Sequence, residues 1–372
     1  MSVVDLPDVL GVLGHSRFSI FVYRIFGLGV IRYRGRYLRK TTILLRFLTL
    51  LSVFGGYWYI LEINTPNEYK TFSKSQYEIF IIVNMFITVT IKLWEILFMD
   101  YYTKQFASYI EDIGAIDRKF AKFKIYNKRS LIYLIEIIAM IMFGCKYIVQ
   151  MGFLLFWEKY SFINFCFFGV RLYARISIFL YNIVLIDLIY WIYQRLKLIN
   201  EICSSVDALA YSMDEQNDTI RMLAEQHYAI LKIAKRTTKL FQFSFVTKFI
   251  SNYTFMISTL IIIYKCLIDE DICESLLFFL FQYRGAFFNA IGIIGICYVC
   301  DLAVTQAHQT KMILHRTTLN KSYMYLIPEL RMFMTYLTDE ILSFEPYQLF
   351  NIDKSLMIVI LGNGLAFFTI AV

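Results

Sequence analysis

Long apolar segments are the feature that most constrains how this sequence folds. A helix needs about 20 apolar residues to cross a hydrocarbon core of about 30 Å. Seven segments qualify, near residues 43–61, 77–97, 131–156, 163–187, 241–265, 274–298 and 354–372. Only helices and closed barrels satisfy their backbone hydrogen bonds in lipid. Because the 372 residues include only four prolines and 16 glycines to form turns, the pattern predicts an all-α polytopic membrane protein with seven transmembrane helices.

The distribution of Lys and Arg between the loops predicts the orientation of these helices. Twenty-five of these residues lie in four segments on one side, at residues 1–42, 98–129, 188–240 and 299–345. The opposite side carries only Lys70, Lys74 and Lys159. Because basic loops stay in the cytoplasm, we expect a cytoplasmic amino terminus and an extracellular carboxyl terminus. The same asymmetry accounts for the net charge of +8, so no nucleic-acid partner is expected.

The segment at residues 188–240 is long and polar, and it is expected to continue the fourth and fifth spans into the cytoplasm. Its apolar residues recur at helical spacing, at Leu196, Ile199, Ile202, Val206 and Leu209. The pattern predicts two helices joined by a turn near residues 212–218. Residues 18–31 are too short to cross a membrane and precede a run of arginines, which is typical of an interfacial helix.

Two groups of residues near the carboxyl end form motifs. The first follows the sixth span and consists of Ala307-His308-Gln309-Thr310-Lys311 and Leu314-His315. The second leads into the seventh span and consists of Phe350-Asn351-Ile352-Asp353-Lys354-Ser355-Leu356. With the seven-span topology, these motifs resemble the insect gustatory receptors. The motif resemblance covers residues 297–372, and residues 24–28 are similar to the family's segment before the first span.

The resemblance implies a tastant-gated, non-selective cation channel in the plasma membrane of chemosensory neurons. It also implies a homo- or heterotetramer with other gustatory receptors, in which the seventh helix of each subunit lines one central pore and the cytoplasmic helices anchor the subunits together. On this basis the chain has a cytoplasmic amino-terminal segment, a ligand-binding helical domain, a cytoplasmic anchor segment and a pore helix. Their ranges are 1–42, 43–298, 299–353 and 354–372.

Small and polar residues form one stripe along the predicted seventh helix. Ser355, Gly362, Ala366 and Thr369 recur at steps of seven, four and three, with Asn363 beside them. A pore wall and a close helix-packing seam both have this pattern. The family resemblance favours the pore.

The end of this helix departs from the family pattern. The family's last span carries a Thr-Tyr pair, five apolar residues and then a Gln-Phe pair that forms the pore constriction. Here Ala366 and Phe367 stand at the Thr-Tyr positions, and the sequence ends at Val372, before the Gln-Phe positions. A non-conducting accessory subunit is therefore an alternative expectation.

Basic residues in the outer halves of the spans are candidates for a tastant site, because charge in hydrocarbon is costly and marks function. The cations are Lys146, Arg171, Arg175 and Arg284, and the polar residues near them are Tyr147, Gln150, Tyr173, Gln282 and Tyr283. Guanidinium groups suit planar carboxylates, so these residues predict a pocket for an anionic or hydrogen-bond-accepting tastant. The alternative is that each cation extends to the membrane surface and pairs with lipid phosphates.

Other motifs do not favour catalysis or a cofactor. Cys297 and Cys300 have the spacing of a zinc or redox pair but lack a second pair of ligands, which predicts simple packing. His308 and His315 lack a carboxylate partner, so no metal site is expected. The sequence contains neither a phosphate-binding loop nor a Gly-x-Ser-x-Gly motif, and we do not expect an enzyme.

Three other classes of membrane protein differ in how well they fit. An insect odorant receptor subunit shares the topology and channel architecture and is the nearest alternative. A G-protein-coupled receptor has its amino terminus outside, which would place the 25 basic loop residues on the wrong face. A transporter predicts spans broken by glycine or proline with paired ionisable groups, and the predicted spans contain no proline.

Overall fold

The computed structural model describes six stretches of the chain and some short pieces near the amino terminus. The stretches are residues 103–121, 162–205, 212–268, 276–319, 325–339 and 341–371, and the short pieces are residues 32–33, 36–37 and scattered positions between 43 and 93. The described positions within the first two predicted spans are helical. The predicted third span and the interfacial helix at residues 18–31 lie outside the described residues.

The described stretches are α-helical with short connections. The helices are α1 (Thr103–Phe120), α2 (Phe162–Ser204), α3 (Met213–Ile268), α4 (Leu276–Leu319), α5 (Ile327–Asp339) and α6 (Lys354–Ala371). A single 3-10 turn, Pro346–Gln348, lies between α5 and α6. Two short strands, β1 (Arg32–Tyr33) and β2 (Arg36–Tyr37), pair antiparallel, with Arg32 opposite Tyr37.

Three helices are much longer than a membrane span. α2, α3 and α4 contain 43, 56 and 44 residues, which correspond to about 65, 84 and 66 Å at 1.5 Å per residue. The hydrocarbon core of a bilayer is only about 30 Å thick. The prediction that the helices of the fourth and fifth spans continue into the segment at residues 188–240 is therefore confirmed, and α4 likewise continues beyond the predicted sixth span.

The turn between α2 and α3 lies earlier than the sequence pattern predicts. We expected it near residues 212–218, but α2 ends at Ser204 and α3 begins at Met213, so that prediction is wrong. The Ser212 hydroxyl accepts a hydrogen bond from the backbone N–H of Glu215 at 3.2 Å. This side chain caps the first turn of α3 and allows the helix to begin before the acidic residues that follow.

One helical segment among the residues with described side chains is long and apolar enough to cross a membrane. It is Ile291–Leu319 in α4. A third of its most apolar window is buried against the rest of the protein. Core helices of soluble proteins can have the same length and composition.

α2 and α4 pack in parallel at the centre of the fold. A Cβ added at Gly295 would lie 3.3 Å from Ile186 Cδ1, so a glycine at this position permits the close approach of the helices. Further along both helices, the Asn200 amide donates hydrogen bonds to the backbone and side-chain carbonyl oxygens of Gln306, at 2.9 and 3.0 Å. From the first contact to the second, the residue numbers increase on both helices, from Ile186 to Asn200 on α2 and from Gly295 to Gln306 on α4. The two helices are therefore parallel.

Polar contacts dock α1 across α2 and α3. Arg195 Nε on α2 donates to Asp117 Oδ1 at 2.7 Å, and these side chains are only 8% and 21% exposed. On α3, Arg236 donates to Asp112 at 2.9 Å. The Tyr109 hydroxyl is 2.5 Å from the Thr237 hydroxyl, and burial raises the pKa of Tyr109 well above its usual range. Side chains of α2 and α3 thus hold α1 in place.

α5 packs on α3 beside a buried histidine. His227 of α3 is 2% exposed, and its ring meets Phe333 of α5 edge to face at 5.6 Å between centroids. Its Nε2 has no hydrogen-bond partner among the described residues. Burial lowers the pKa of His227 to about 4, so the imidazole is neutral near pH 7.

Candidate functional site

The candidate site with described side chains is α6, the predicted pore helix, and its amino-terminal end begins with a capped turn. Asp353 Oδ1 accepts a hydrogen bond from the backbone N–H of Leu356 at 2.9 Å. Aspartate is a preferred N-cap because its carboxylate satisfies one of the open N–H groups of the first turn. The helix therefore begins at Lys354 because of the residue directly before it.

An ion pair holds the same end of α6 to α4. Lys354 Nζ lies 2.6 Å from Asp301 Oδ2, and the side chains are 51% and 23% exposed. The ammonium also lies 5.6 Å from the centroid of the Tyr298 ring, within the range of a cation–π contact. These three side chains fix the position of the first turn of α6 relative to α4.

The segment before α6 folds back on itself. The backbone N–H of Ile352 donates to the carbonyl oxygen of Phe344 at 2.9 Å, which closes the loop around the 3-10 turn. Tyr347 and Gln348 in this loop have φ values of 53° and 58°, a left-handed conformation that is unfavourable for residues other than glycine. Phe350 then packs edge to face on Phe249 of α3 at 5.7 Å. The entry to α6 is thus anchored on both α3 and α4.

The two faces of α6 differ in what they contact. Leu356, Met357 and Ile360 are half-buried and pack against the core. The remaining surface of the helix is exposed and carries four of the five residues of the predicted stripe: Ser355, Gly362 and Ala366 face away from the core, and Asn363 lies at the edge of the packed face. The fifth, Thr369, is helical, and its side chain lies outside the described part of the chain.

The geometry of the stripe follows from the helical repeat. At 3.6 residues per turn, Ser355, Gly362 and Ala366 lie within roughly 40° of one another around the helix axis. A Cβ added at Gly362 would meet nothing within 4 Å. No described residue therefore packs closely at Gly362, and the exposed surface of α6 also includes 65% of Ile358 and 53% of Val359.

The predicted tastant residues divide into two groups. Lys146, Tyr147 and Gln150 lie outside the described residues. The other six are helical, with Arg171, Tyr173 and Arg175 in α2 and Gln282, Tyr283 and Arg284 in α4, although their side chains are not among those described. Grouping of these residues into a pocket stays a prediction.

The backbone nevertheless relates the positions of two of these arginines. Arg175 precedes Ile186 by eleven residues, and Arg284 precedes Gly295 by eleven residues. Since Ile186 and Gly295 are neighbours and the helices are parallel, the two arginine positions lie at the same height on adjacent helices. Positions 175 and 284 are thus at a suitable height on α2 and α4 to contribute to one tastant site.

Two buried charged residues were not singled out by the sequence pattern. Asp187 of α2 is 6% exposed and Lys248 of α3 is 2% exposed, and both lie within predicted spans. The signal was present in the sequence, because an ionisable residue inside an apolar span is a functional candidate by default. The predicted tastant residues are cations and polar residues of the predicted outer halves of the spans, and they do not include Asp187 or Lys248.

The cysteine and histidine candidates behave as packing and surface residues. Cys297 and Cys300 are free and fully buried, which confirms the packing prediction, while His308 and His315 are exposed on α4. Within the described stretches, no three His, Cys, Asp or Glu side chains come together as a metal site. Cys203 of α2 is also buried and free, and burial raises the pKa of its thiol to about 12.

Comparisons with known proteins extend over nearly the whole chain. The family model described as 7tm Chemosensory receptor matches residues 16–365. Among solved structures, the chain is similar to the insect olfactory receptor OR5 from Machilis hrabei in complex with eugenol. The TM-score is 0.61 at 11% sequence identity, with 97% of this chain and 96% of that chain covered. At this identity the likeness concerns the fold. No curated protein sequence matches the chain.

Proposed function

The chain belongs to the 7tm chemosensory receptor family, and from this premise we propose that it is a gustatory receptor subunit. In this proposal it forms a tastant-gated, non-selective cation channel in the plasma membrane of chemosensory neurons, with seven spans and a cytoplasmic amino terminus. It acts as a receptor and channel subunit and not as an enzyme. The motifs at residues 307–315 and 350–356 favour the gustatory branch of the family.

The observation that carries the channel proposal is the exposed stripe on α6. Helices that face lipid are apolar, whereas this face combines Ser355, Gly362 and Asn363 with aliphatic residues. A polar group in hydrocarbon costs several kcal/mol without a hydrogen-bond partner, so this face is better suited to water or to another protein surface. Small residues also leave room for ions along the axis of an assembly.

One helix cannot enclose a pore, so the proposal requires several copies of the chain. Closed rings around a common axis are the usual arrangement of such assemblies. In a tetramer, the exposed faces of four α6 helices would point at one another, while Leu356, Met357 and Ile360 would pack inward on each subunit. The inner ends of the four helices would be held by the Lys354–Asp301 contact.

Cysteine accessibility tests the pore assignment. Ser355→Cys and Gly362→Cys are expected to be blocked by a cationic thiol reagent applied during tastant-evoked current. The matched controls are Met357→Cys and Ile360→Cys, which lie on the same helix at similar depth but on the packed face. Because the parent chain has seven cysteines, its own response to the reagent sets the background. Equal block on both faces would contradict the pore assignment.

The proposed tastant pocket rests on the arginines of α2 and α4. Arg171→Ala and Arg175→Ala are expected to raise the concentration of tastant needed for half-maximal current without reducing surface expression. Lys311→Ala provides the control, because Lys311 is exposed on α4 and lies beyond the end of the predicted sixth span. An unchanged dose response in the α2 variants would remove the pocket from the proposal.

An insect odorant receptor subunit is the second candidate. The observation that favours it is the fold similarity to an olfactory receptor, which was solved with eugenol. Expression with gustatory and, separately, with odorant receptor relatives discriminates the two functions. Current evoked by dissolved sugars, bitter compounds or organic acids supports a gustatory subunit, while current evoked only by volatile compounds with an odorant partner supports the alternative.

A non-conducting accessory subunit is the third outcome of the same experiment. It rests on Ala366 and Phe367, which replace the Thr-Tyr pair of the family's last span. An accessory subunit would give no current alone but would change the response of a co-expressed relative. In every arm, current that persists after G-protein signalling is blocked supports a channel, and a response abolished by that block contradicts it.

A further inference from the structure

The loop between α5 and α6 reverses direction in a turn that two large side chains occupy. The backbone N–H of Leu349 donates to the carbonyl oxygen of Pro346 at 3.1 Å, which closes a β-turn. Its central residues are Tyr347, with φ 53° and ψ 17°, and Gln348, with φ 58°. A positive φ at both central positions characterises a type I′ turn, which is normally built from Asn-Gly, Asp-Gly or Gly-Gly. Tyr347 and Gln348 thus stand where the backbone favours asparagine and glycine.

This turn is strained, and its central side chains do not offset the strain by burial. The left-handed conformation brings Cβ close to the following carbonyl oxygen, which disfavours each residue other than glycine by about tenfold. Tyr347 is 47% exposed, and Gln348 is also exposed. In the described part of the chain, these two adjacent residues are the non-glycine residues with positive φ. The strain is therefore concentrated at one point of the loop.

Buried residues on both sides of the turn hold it in this conformation. Phe344 before the turn and Ile352 after it are each 1% exposed, and the Ile352 backbone N–H donates to the Phe344 carbonyl oxygen at 2.9 Å. Phe350 packs on Phe249 of α3. A strained backbone persists only where the surrounding structure fixes it. The turn is therefore expected to relax when the contacts on its α6 side change.

The turn connects α5, which is docked on α3, to the predicted pore helix. α5 ends at Asp339 and α6 begins at Lys354, so residues 340–353 have to take up any displacement of α6 relative to α5. Hinges are a few loop positions that absorb large changes of φ and ψ. Within the described part of this loop, Tyr347 and Gln348 gain most from such a change, because it takes them out of the left-handed region.

We propose that the turn of Tyr347 and Gln348 is a hinge, strained while α6 holds the position of this structure and relaxed when α6 moves to conduct ions. The hinge rests on the channel function proposed above, and it assigns the conformation described here to the non-conducting state. Relaxation returns both residues to negative φ. The strain released at the turn then offsets part of the free energy lost when contacts such as Phe249–Phe350 loosen. The strain thus makes the channel easier to open.

Removing the strain without removing the turn tests the hinge. In the turn variant, Tyr347→Asn/Gln348→Gly, residues that suit a type I′ turn replace the strained pair, which stabilises the non-conducting state. The half-maximal tastant concentration is expected to rise about tenfold, and current without tastant to fall. This factor is smaller than the product for two strained residues, because glycine is also freer in the conducting state. The tastant is the one that evokes current from the parent among dissolved sugars, bitter compounds and organic acids.

Two further variants separate strain from added flexibility, with surface expression measured for each. Leu349→Gly also places a glycine at an exposed position of the loop, but Leu349 has φ −85° and ψ −39°, a right-handed conformation without this strain. Its half-maximal concentration is expected to stay within about twofold of the parent. Gln348→Val increases the strain, because a β-branched residue tolerates positive φ least. It is expected to lower the half-maximal concentration and to raise current without tastant; if it does not reach the surface, the turn variant decides alone.

Thermal unfolding of the purified full-length chain in detergent measures the strain separately from current. A higher melting temperature of the turn variant together with a raised half-maximal concentration supports the hinge. An unchanged melting temperature shows that the turn is not strained and overturns the hinge. So does an unchanged or lowered half-maximal concentration in the turn variant, or an equal rise in Leu349→Gly. A parent without tastant-evoked current overturns the channel and the hinge together, whereas a conducting parent with an unshifted turn variant overturns the hinge alone.

Discussion

Replacing Asp117 by alanine is expected to loosen α1 from the helical core. Asp117 accepts the hydrogen bond of Arg195, whose side chain is only 8% exposed. Removing one partner of a buried pair costs about 3–5 kcal/mol because a charge is left behind. Here the cost is smaller, about 2–3 kcal/mol, because Asp117 is 21% exposed and Arg195 keeps its contact with the Trp191 ring at 5.8 Å.

A double replacement tests whether the buried charge of Arg195 causes the loss of stability. Replacing the pair by Asp117→Leu and Arg195→Met together is expected to recover most of the loss, because apolar residues of similar volume often replace a buried ion pair at little cost. The measurement is thermal unfolding of the purified full-length chain in detergent, followed by tryptophan fluorescence. Since the unfolding entropy is about 2.1 cal/mol/K per residue, a loss of 2 kcal/mol corresponds to about 2–3 °C for a chain of 372 residues.

The matched control lies on the same helix. Lys119 and Glu225 also join α1 to α3, at 3.6 Å, but their side chains are 50% and 58% exposed. Breaking this pair with Glu225→Gln is expected to cost less than about 1 kcal/mol, because water screens exposed charges. If Glu225→Gln lowers the melting temperature as much as Asp117→Ala, or if the double replacement is as unstable as Asp117→Ala, then burial of the Arg195 charge is not the reason for the effect.

Three further predictions concern single side chains. Because the pKa of His227 is lowered to about 4 from about 6.5, the unfolded chain binds the extra proton first. Stability is then complete above about pH 6.5 and falls toward pH 4, by about 2 kcal/mol at pH 5; His227→Leu should remove this loss in acid titrations of unfolding. Tyr109→Phe is expected to cost about 1 kcal/mol in thermal unfolding, since it removes the hydrogen bond to Thr237, and an unchanged melting temperature would contradict this. Asp301→Lys is expected to reduce tastant-evoked current per surface receptor by placing like charges together, and adding Lys354→Glu should restore it.

The sequence predicted the helical architecture well where hydrophobic periodicity was strong. The extension of α2 beyond its span followed from Leu196, Ile199 and Ile202, which are all fully buried. The boundary of α3 was missed although a capping signal was present, with Ser212 three residues before Glu215. The acidic residues Asp214 and Glu215 are favourable in the first turn of a helix, which agrees with the start of α3 at Met213. The hydrogen bond from the Glu215 backbone N–H to the Ser212 hydroxyl fixes this boundary.

The residues of the candidate site could be predicted from the sequence, but the contacts of α6 with α3 and α4 could not. The small-residue stripe of α6 could be read from spacing, because residues on one helix face are related by a fixed angle. Which face packs inward depends on the positions of α3 and α4, and these are not encoded in the spacing. The Arg195–Asp117 contact joins residues 78 positions apart. Several carboxylates could have paired with Arg195, so a single sequence does not single out the partner.

In α3, the apolar segment begins at residue 241 but the helix begins at Met213, and the two boundaries differ for a physical reason. Hydropathy reports the solvent around a segment, so it changes at residue 241, where a polar stripe gives way to an apolar surface. Helix length reports backbone hydrogen bonding, which is unaffected by that change and continues from Met213 to Ile268. The half before residue 241 buries Leu223, Ile230 and Leu231 against other helices, because an amphipathic helix gains stability from one face. A span boundary is therefore a change of surroundings along one continuous helix, and the end of α3 has to be sought at Ser212, where a side chain caps it.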